Sequence, residues 1–369
     1  MGVFLPFLPM WLEARGIDGW GIGLIAALRP LAGILVPLAF GLVADVFRLR
    51  GVLLRFAVLG TLVAIALVGL AVSFAEPSIA LLALLFGLLA IFRAPMNALA
   101  DVAALEEGRT SFGRQRLWGS LGFLLTACAA GYLVDLRAPL GLPVTMGVLL
   151  LGALLVTFLL PARANVRTLP VWSAARGLFG SGDYQLFLLG VFLWLAAHSA
   201  YDLCVTLHLT ALGASSAFAG LAWAIGTLAE VALFAVSAPW IERHGPVRLM
   251  LLGVAISVVR WTILATVRSP EVLLPLQVLH AGSFALVFVA ALGYVKQRAE
   301  PHVLATAQAS FTVAGGLGAG AGTIVWGGLY AGFGGATVFA TAAGVALTSV
   351  VALGLLLAAQ RRALLSPET

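Results

Sequence analysis

The sequence predicts an all-α polytopic membrane protein that is built as two parallel-repeat six-helix bundles. Three observations predict this fold class: an apolar composition, apolar runs of membrane-spanning length, and an internal repeat. Of the 369 residues, 62% are hydrophobic and only 10% are charged, and the mean hydropathy is +1.09. A soluble domain of this length has too little interior to bury so many apolar side chains.

Apolar runs that can cross roughly 30 Å of hydrocarbon recur along the whole chain. We predict spans at approximately 20–45, 51–74, 77–104, 112–134, 139–161, 184–211, 215–241, 247–267, 270–296, 303–331 and 334–360. Before them stands GVFLPFLPMWL (2–12), which is too short to cross and lacks the basic region and cleavage site of a signal peptide. We interpret it as the outer half of a first helix, and we expect its inner half to be missing because the start codon is misassigned.

The basic residues predict the orientation. If residues 13–19 face outward, Lys and Arg gather in the inner loops, and the outer loops hold only Arg15, Arg137 and Arg268. The formal net charge of +6 is therefore a topology signal, and nucleic-acid binding is not indicated. We expect a multi-pass protein of the cell inner membrane with a cytoplasmic C-terminus.

The two halves of the chain echo each other. GLVADVFRLRG (41–51) follows the first of the full-length spans, and APWIERHGPVR (238–248) follows the matching span of the second half. WGSLGFLLTACAAGYL (118–133) likewise matches AGGLGAGAGTIVWGGL (314–329). A repeat in the same orientation implies two parallel bundles. We predict an N-terminal bundle over 1–161, a basic cytoplasmic loop over 162–183 and a C-terminal bundle over 184–369.

Several stretches carry a family resemblance. The pattern Gly-x-x-x-Asp-Arg-x-Gly-Arg-Arg/Lys is kept in part, with Gly41, Asp45 and Arg50 in the first copy and Glu242, Arg243 and Gly245 in the second. Together with FGRQRLWGSLGF (112–123), LAEVALF (228–234), VVRW (258–261) and LQVLHAGSF (276–284), it resembles the major facilitator superfamily. The similar branch contains the phenylpropionate permeases and is related to the lactose permease and the nucleoside–proton symporters.

The resemblance implies a twelve-helix fold with helix 1 truncated, and secondary active transport by alternating access. It places the acidic and basic residues of the two loop motifs as conformational latches: Asp45, Arg50, Glu242 and Arg243. The pattern is incomplete, because Val46, Arg48 and Leu49 stand where Arg, Gly and Arg are usual.

The predicted spans contain ionisable residues, although a charge near the bilayer centre costs roughly 2.5–3.5 kcal/mol. His198 and Asp202 are four residues apart and share one helical face, and Arg93 and Asn97 do the same. In this architecture the substrate site is expected near the membrane midplane between the halves. We predict that the substrate and proton site is formed by Glu230, Arg260, His280, Asp202, His198, Arg29, Arg93 and Asn97.

Two interpretations of these charges stay open. Intramembrane Arg and acidic residues can be ion pairs that hold the bundle together. The lactose permease pattern instead implies a functional acid at Glu230 beside Arg260 and His280, but that permease has a second acid where this chain has Ser283. If the protein has a proton carrier, it must therefore be Glu230 or Asp202. We interpret His208 as interfacial, and the stretch GGLGAGAG (315–322) as close helix packing.

The predicted function is proton-coupled symport of a small organic solute: an aromatic acid, a nucleoside or a sugar. Two Arg residues of the N-terminal half, Arg29 and Arg93, could hold a carboxylate. The alternatives are a drug or metabolite exporter on the same fold, an intramembrane enzyme that uses His198 and Asp202, and a non-transporting receptor. We expect no enzyme activity, cofactor or metal site, since no P-loop, HExxH or GxSxG motif is present. We expect a monomer in the lipid bilayer.

Overall fold

The chain is helical throughout the part that the structure describes. This computed structural model describes residues 1–47, 49–74, 76–106, 112–136, 140–159, 179–300 and 304–365. The helices are α1 (Phe4–Glu13), α2 (Gly19–Phe47), α3 (Arg50–Phe74), α4 (Ile79–Glu106), α5 (Phe112–Leu136), α6 (Gly141–Thr157), α7 (Gly182–Ala211), α8 (Ser216–His244), α9 (Pro246–Thr266), α10 (Pro270–Arg298) and a last helical stretch (Leu304–Leu365).

The last stretch is two helices in sequence. Gly334 interrupts it with φ 74° and ψ 177°, a conformation that glycine adopts without a side-chain clash. We name the part over 304–333 α11 and the part over 335–365 α12. The break falls where the sequence predicts the boundary between the last two spans.

The described helices confirm the predicted fold class. Eight of them are long and apolar enough to cross a membrane, and the last of these is the stretch that Gly334 divides. The shorter helix α6 is also apolar. The helices agree with the predicted spans to within a few residues, because long apolar runs are the strongest structural signal that a sequence carries.

Contacts between Cα atoms divide the chain into two compact units. Unit 1 comprises the described residues of Met1–Thr168, Asp202–Ala224 and Thr323–Gly332, and unit 2 comprises those of Leu169–Tyr201, Ile225–Gly322 and Phe333–Thr369. The predicted bundle boundaries at residues 161 and 184 stay a prediction.

In unit 1 the apolar face of α1 is buried against α4. Phe4 and Trp11 are at most 4% exposed, and both rings contact Phe86, with centroid distances of 6.2 and 6.1 Å. A second apolar cluster joins α3 and α4 through Leu54, Val58 and Leu99. The charged side chains of α2 and α4 are therefore set among helices that pack through apolar groups.

In unit 2 the glycines of α11 allow a close approach to α7. A methyl group on Gly318 would overlap the carbonyl oxygen of Phe192, and one on Gly322 would lie 2.5 Å from the carbonyl oxygen of Ala196. These contacts are one helical turn apart on both helices. They confirm that GGLGAGAG (315–322) serves helix packing, as small residues do in membrane proteins.

Helix α10 is irregular along its first half. It begins as a short α-helix (Pro270–Leu273), continues as a 3-10 turn (Pro275–Val278) and a π turn (Ala281–Leu286), and ends as an α-helix (Val287–Arg298). Proline has no backbone N–H, so Pro275 weakens the hydrogen-bond ladder at the first irregularity. His280 lies between the 3-10 turn and the π turn, and π turns occur often at functional sites.

We predict that Gly318→Ala lowers the midpoint of thermal unfolding, because the new methyl group meets backbone atoms that cannot move aside. Overpacking of this kind costs about 1–3 kcal/mol. Gly344→Ala in α12 is the matched control, since a methyl group there meets nothing within 4 Å. Thermal unfolding of the purified variants in detergent checks this. Equal midpoints for the two variants would show that the α7–α11 contact is not tight.

Candidate functional site

The strongest concentration of buried polar groups in unit 2 surrounds Arg260 of α9. This residue is 1% exposed. Its Nη1 lies 3.0 Å from Nδ1 of His280 and donates to Oγ of Ser283 at 3.1 Å. Its Nη2 donates to Oε1 of Gln277 at 2.8 Å. Three polar groups of α10 thus solvate a charge that water cannot reach.

The contact with Arg260 fixes the hydrogen positions on the ring of His280. A guanidinium only donates hydrogen bonds, so Nδ1 of His280 must accept, and the ring carries its proton on Nε2. Nε2 lies 3.5 Å from Oε2 of Glu230 in α8. A neutral His280 therefore joins the cation of Arg260 to the carboxylate of Glu230. The structure brings together three of the predicted site residues in this chain of contacts.

Aromatic rings enclose this chain of contacts. The guanidinium carbon of Arg260 lies 4.1 Å from the ring centroid of Tyr201 and 5.0 Å from that of Trp261. His280 stacks on Phe284 with centroids 5.4 Å apart and an interplanar angle of 8°. Such contacts stabilise a cation and keep water away from it. Electrostatic interactions inside this enclosure are consequently stronger than in water.

His198 of α7 belongs to the same aromatic enclosure. It is 3% exposed, and its ring centroid lies 5.4 Å from that of His280 and 4.8 Å from that of Phe284. Tyr201 and Trp261 are fully buried and stack on each other at 6.0 Å. Their faces are occupied by other side chains, which favours packing over direct stacking on a solute.

Asp202 pairs with Arg29 within unit 1: its Oδ2 accepts from Nη2 of Arg29 at 3.2 Å. The expected grouping of Asp202 with Glu230, Arg260 and His280 stays a prediction. The two side chains are 22% and 24% exposed. A half-buried charge has a high desolvation cost, and the pairing of the acid with the cation offsets that cost for both.

A small cavity adjoins the Arg29–Asp202 pair in unit 1. Its volume is about 20 Å³, enough for about one water molecule. It is lined by residues that include Phe4, Leu8, Arg29, Asp202, Leu203 and Thr323. The pair thus has room for a water molecule beside it.

Arg93 of α4 differs from Arg29 in its surroundings. It is half-buried, and its guanidinium lies 5.9 Å from the ring centroid of Phe4. Over the described residues it makes no ion pair and no hydrogen bond. Asn97, one turn further along α4, is exposed. Of the two Arg residues that could hold a carboxylate, only Arg29 has its charge neutralised by an acid in the described part of the chain.

The four predicted latch residues are only partly described. Glu242 and Arg243 are exposed in the last turn of α8. The side chains of Asp45 and Arg50 lie outside the part of the chain that the structure describes. The latch function therefore stays a prediction.

Gln277 and Ser283 were missed by the sequence analysis as site residues. They contact Arg260 from positions three before and three after His280, a spacing that places all three on one side of a helix. That spacing was the available signal, but amide and hydroxyl side chains within a span are common and carry no charge. No group of three or more His, Cys, Asp or Glu side chains among the described residues could hold a metal ion.

Long apolar helices with buried ionisable groups define a polytopic membrane protein whose interior charges are typical of a transporter. The model of the MFS_1 like family matches residues 1–341. The chain belongs to this family of major facilitator superfamily transporters. The predicted family is confirmed, and with it the expectation of a transporter that is not an enzyme.

Known proteins agree with this assignment. The chain is 31% identical over 313 residues to a probable 3-phenylpropionic acid transporter of Escherichia coli, covering 82% of this chain and 80% of that protein. It is 30% identical over 334 residues to a maltose permease of Geobacillus stearothermophilus, covering 88% and 83%. The crystal structure of the nucleoside transporter NupG superposes with a TM-score of 0.80 at 18% identity, covering 96% and 95%. This last likeness shows the shared fold.

We predict that Arg29→Gln and Asp202→Asn each destabilise the protein more than the double variant does. Either single change strands a half-buried charge, whereas the double change removes both charges. Arg93→Gln is the control, because it removes a charge without an ion pair among the described residues. Thermal unfolding in detergent measures all four variants. Additive losses in the double variant would show that the two side chains do not depend on each other.

Proposed function

We propose that this chain is a proton-coupled symporter of a small organic acid in the cell inner membrane. The observation that carries the proposal is the chain of contacts in unit 2 from the partly buried Glu230 through neutral His280 to the buried Arg260. An acid, a fixed cation and a mediating imidazole form a group that can take up and release one proton. The positive-inside distribution of Lys and Arg supports a cytoplasmic C-terminus, and we propose a monomer.

Glu230 is the proposed proton carrier. Its Oε2 lies 3.5 Å from Nε2 of His280, and Nδ1 of the same ring accepts from Arg260. A movement of α8 or α10 that separates Glu230 from His280 would remove this donor from the carboxylate. Losing a donor to the charged form favours the neutral acid, so the movement would promote protonation of Glu230. Alternating access supplies such a movement in this proposal, and solute and proton bias the same equilibrium.

Asp202 is the weaker candidate for the proton carrier. Its carboxylate is paired with the permanent cation of Arg29, and an adjacent cation keeps an acid ionised. We propose that this pair holds α2 and α7 together, and that Glu230 carries the proton.

Arg93 is the proposed binding group for the carboxylate of the solute. Its lack of an ion pair among the described residues and its partial burial support this role. The likeness to a probable 3-phenylpropionic acid transporter also supports an aromatic acid. A maltose permease and a nucleoside transporter are similar too, so sugars and nucleosides are the solutes against which the acid must be compared.

We predict that Glu230→Gln abolishes uphill, gradient-driven uptake but leaves exchange of solute between two loaded sides. The amide mimics the protonated acid, and exchange needs no deprotonation. Glu271→Gln is the control, because Glu271 is an exposed acid at the start of α10, outside the chain of contacts. Uptake and exchange are measured side by side in proteoliposomes. If Glu230→Gln still concentrates the solute under a proton gradient, Glu230 is an ion-pair partner only.

We predict that Arg93→Gln raises the KM for 3-phenylpropionate about 10- to 100-fold, the usual effect of losing a hydrogen bond to a charged group. The KM for the matching amide, 3-phenylpropionamide, should change little, since the amide carries no charge for Arg93 to bind. Transport kinetics in proteoliposomes compare the two compounds. Equal losses for both would place the carboxylate elsewhere. Uptake of a nucleoside or a sugar in preference to the acid would contradict the proposed solute class.

A further inference from the structure

The π turn of α10 (Ala281–Leu286) has a carbonyl that is held by side chains of two other helices. The carbonyl oxygen of Ser283 accepts from Nε1 of Trp194 at 2.9 Å, and Trp194 lies in α7. It also lies 3.2 Å from Oγ of Ser257 in α9. Buried carbonyl groups are normally hydrogen-bonded, and these two donors come from helices other than α10.

The two donors are not equivalent. The hydroxyl of Ser257 has one proton, and the carbonyl oxygen of Gly253 lies 3.1 Å from the same Oγ. The indole N–H of Trp194 donates to the Ser283 carbonyl, and it has no second acceptor among the described residues. Trp194 and Ser257 are each 1% exposed, and Ser283 is fully buried. Trp194 is therefore the constant donor, and Ser257 can share its proton between two acceptors.

The shapes of α9 and α10 also fit closely at this turn. A methyl group on Gly253 would lie 2.7 Å from the carbonyl oxygen of Gly282, and one on Gly282 would lie 2.8 Å from Cδ1 of Ile256. The two glycines let the helices approach until Ser257 reaches the Ser283 carbonyl. The turn is thus held both by packing against α9 and by the hydrogen bond from α7.

Ser283 connects this carbonyl to the charged site. Its hydroxyl accepts from Nη1 of Arg260 at 3.1 Å and donates to the carbonyl oxygen of His280 at 3.3 Å. A change in the backbone at Ser283 would therefore move the hydroxyl that contacts both Arg260 and His280. His280 directly precedes the π turn, so its ring direction depends on the conformation of that turn.

We propose that Trp194 is a positioning residue, assisted by Ser257, which holds the π turn of α10 so that His280 stays between Arg260 and Glu230. The indole N–H acts on the turn through the Ser283 carbonyl, and the turn acts on the imidazole. The effect on transport rests on the proton coupling proposed above. The effect on the tautomer of His280 does not.

The first test measures the tautomer of His280 in the folded protein. Protein with ¹⁵N-labelled histidine contains five His residues, and His280→Asn identifies the His280 signals by their loss. In the wild type we expect the Nε2-protonated form alone at neutral pH. In Trp194→Phe/Ser257→Ala the Ser283 carbonyl loses both side-chain donors, and we expect both tautomers. A single Nε2-protonated form in a folded double variant would overturn the proposal.

Single variants keep the test valid if the double variant does not fold. Trp194→Phe keeps an aromatic ring and leaves Ser257 as the remaining donor, so we expect a smaller second-tautomer population than in the double variant. Trp20→Phe is the control, because Trp20 is 57% exposed. If the spectra of Trp194→Phe and Trp20→Phe both match the wild type and the double variant does not fold, Trp194 has only a packing role and the proposal is wrong.

The second test measures transport. We expect the double variant to lose gradient-driven uptake about tenfold more than solute exchange, because only coupling requires His280 between its two partners. The losses of gradient-driven uptake in the two single variants should sum to less than the loss in the double variant, since either donor can satisfy the carbonyl. Equal losses in uptake and exchange would indicate general damage and contradict the positioning role. If the wild type shows no proton-driven uptake, the proposed coupling fails, and the tautomer measurement still decides the role of Trp194.

Discussion

The permanent charge of Arg260, buried within an apolar helical unit, is the constraint on which the site of unit 2 depends. A guanidinium cannot shed its proton to escape the cost of burial, so the protein must supply acceptors. Helix α10 supplies them from three positions, and the rings of Tyr201 and Trp261 cover the cation. Helix α10 is irregular where these acceptors lie, because a 3-10 turn and a π turn flank His280. The irregular backbone and the buried cation occur together.

Arg29 and Arg93 of unit 1 show different solutions to the same cost. Arg29 pairs with Asp202, so the two side chains together carry no net charge. Arg93 keeps its cation half-exposed beside the ring of Phe4, without an acid within ion-pair distance among the described residues. Such a charge is costly in a membrane and does not stabilise the fold through an ion pair within the described part of the chain, so a role in function is its simplest explanation. The contrast between the two residues, more than either one alone, supports a solute with a negative group.

The sequence predicted the helices well and the side-chain partners poorly, for physical reasons. Long apolar runs must form helices in a membrane because every backbone group needs a partner within its own segment. That rule determined the spans, and glycine at 334 explains why the last two are separate. A separate rule, that small residues let membrane helices approach closely, predicted the packing role of the glycines in α11. Neither rule determines which acid meets which cation, so the pairing of Asp202 with Arg29 could not be predicted. The π turn has no sequence signature, so the contacts of Trp194 and Ser257 with its backbone could not be predicted. For Gln277 and Ser283, the spacing around His280 was the available signal.

The neutral tautomer of His280 has an electrical consequence. With a neutral imidazole, the ionised Glu230 and the cation of Arg260 sum to zero, and one proton on Glu230 leaves the group with a single positive charge. In the proposed symport, a solute with one carboxylate brings a compensating negative charge. Moving an unbalanced elementary charge across the membrane is worth about 2.3 kcal/mol per 100 mV. A carrier loaded with one proton and one monoanion moves no net charge, so the membrane voltage does no work on it. The accumulation ratio of the solute would therefore follow the pH difference across the membrane and be independent of the voltage.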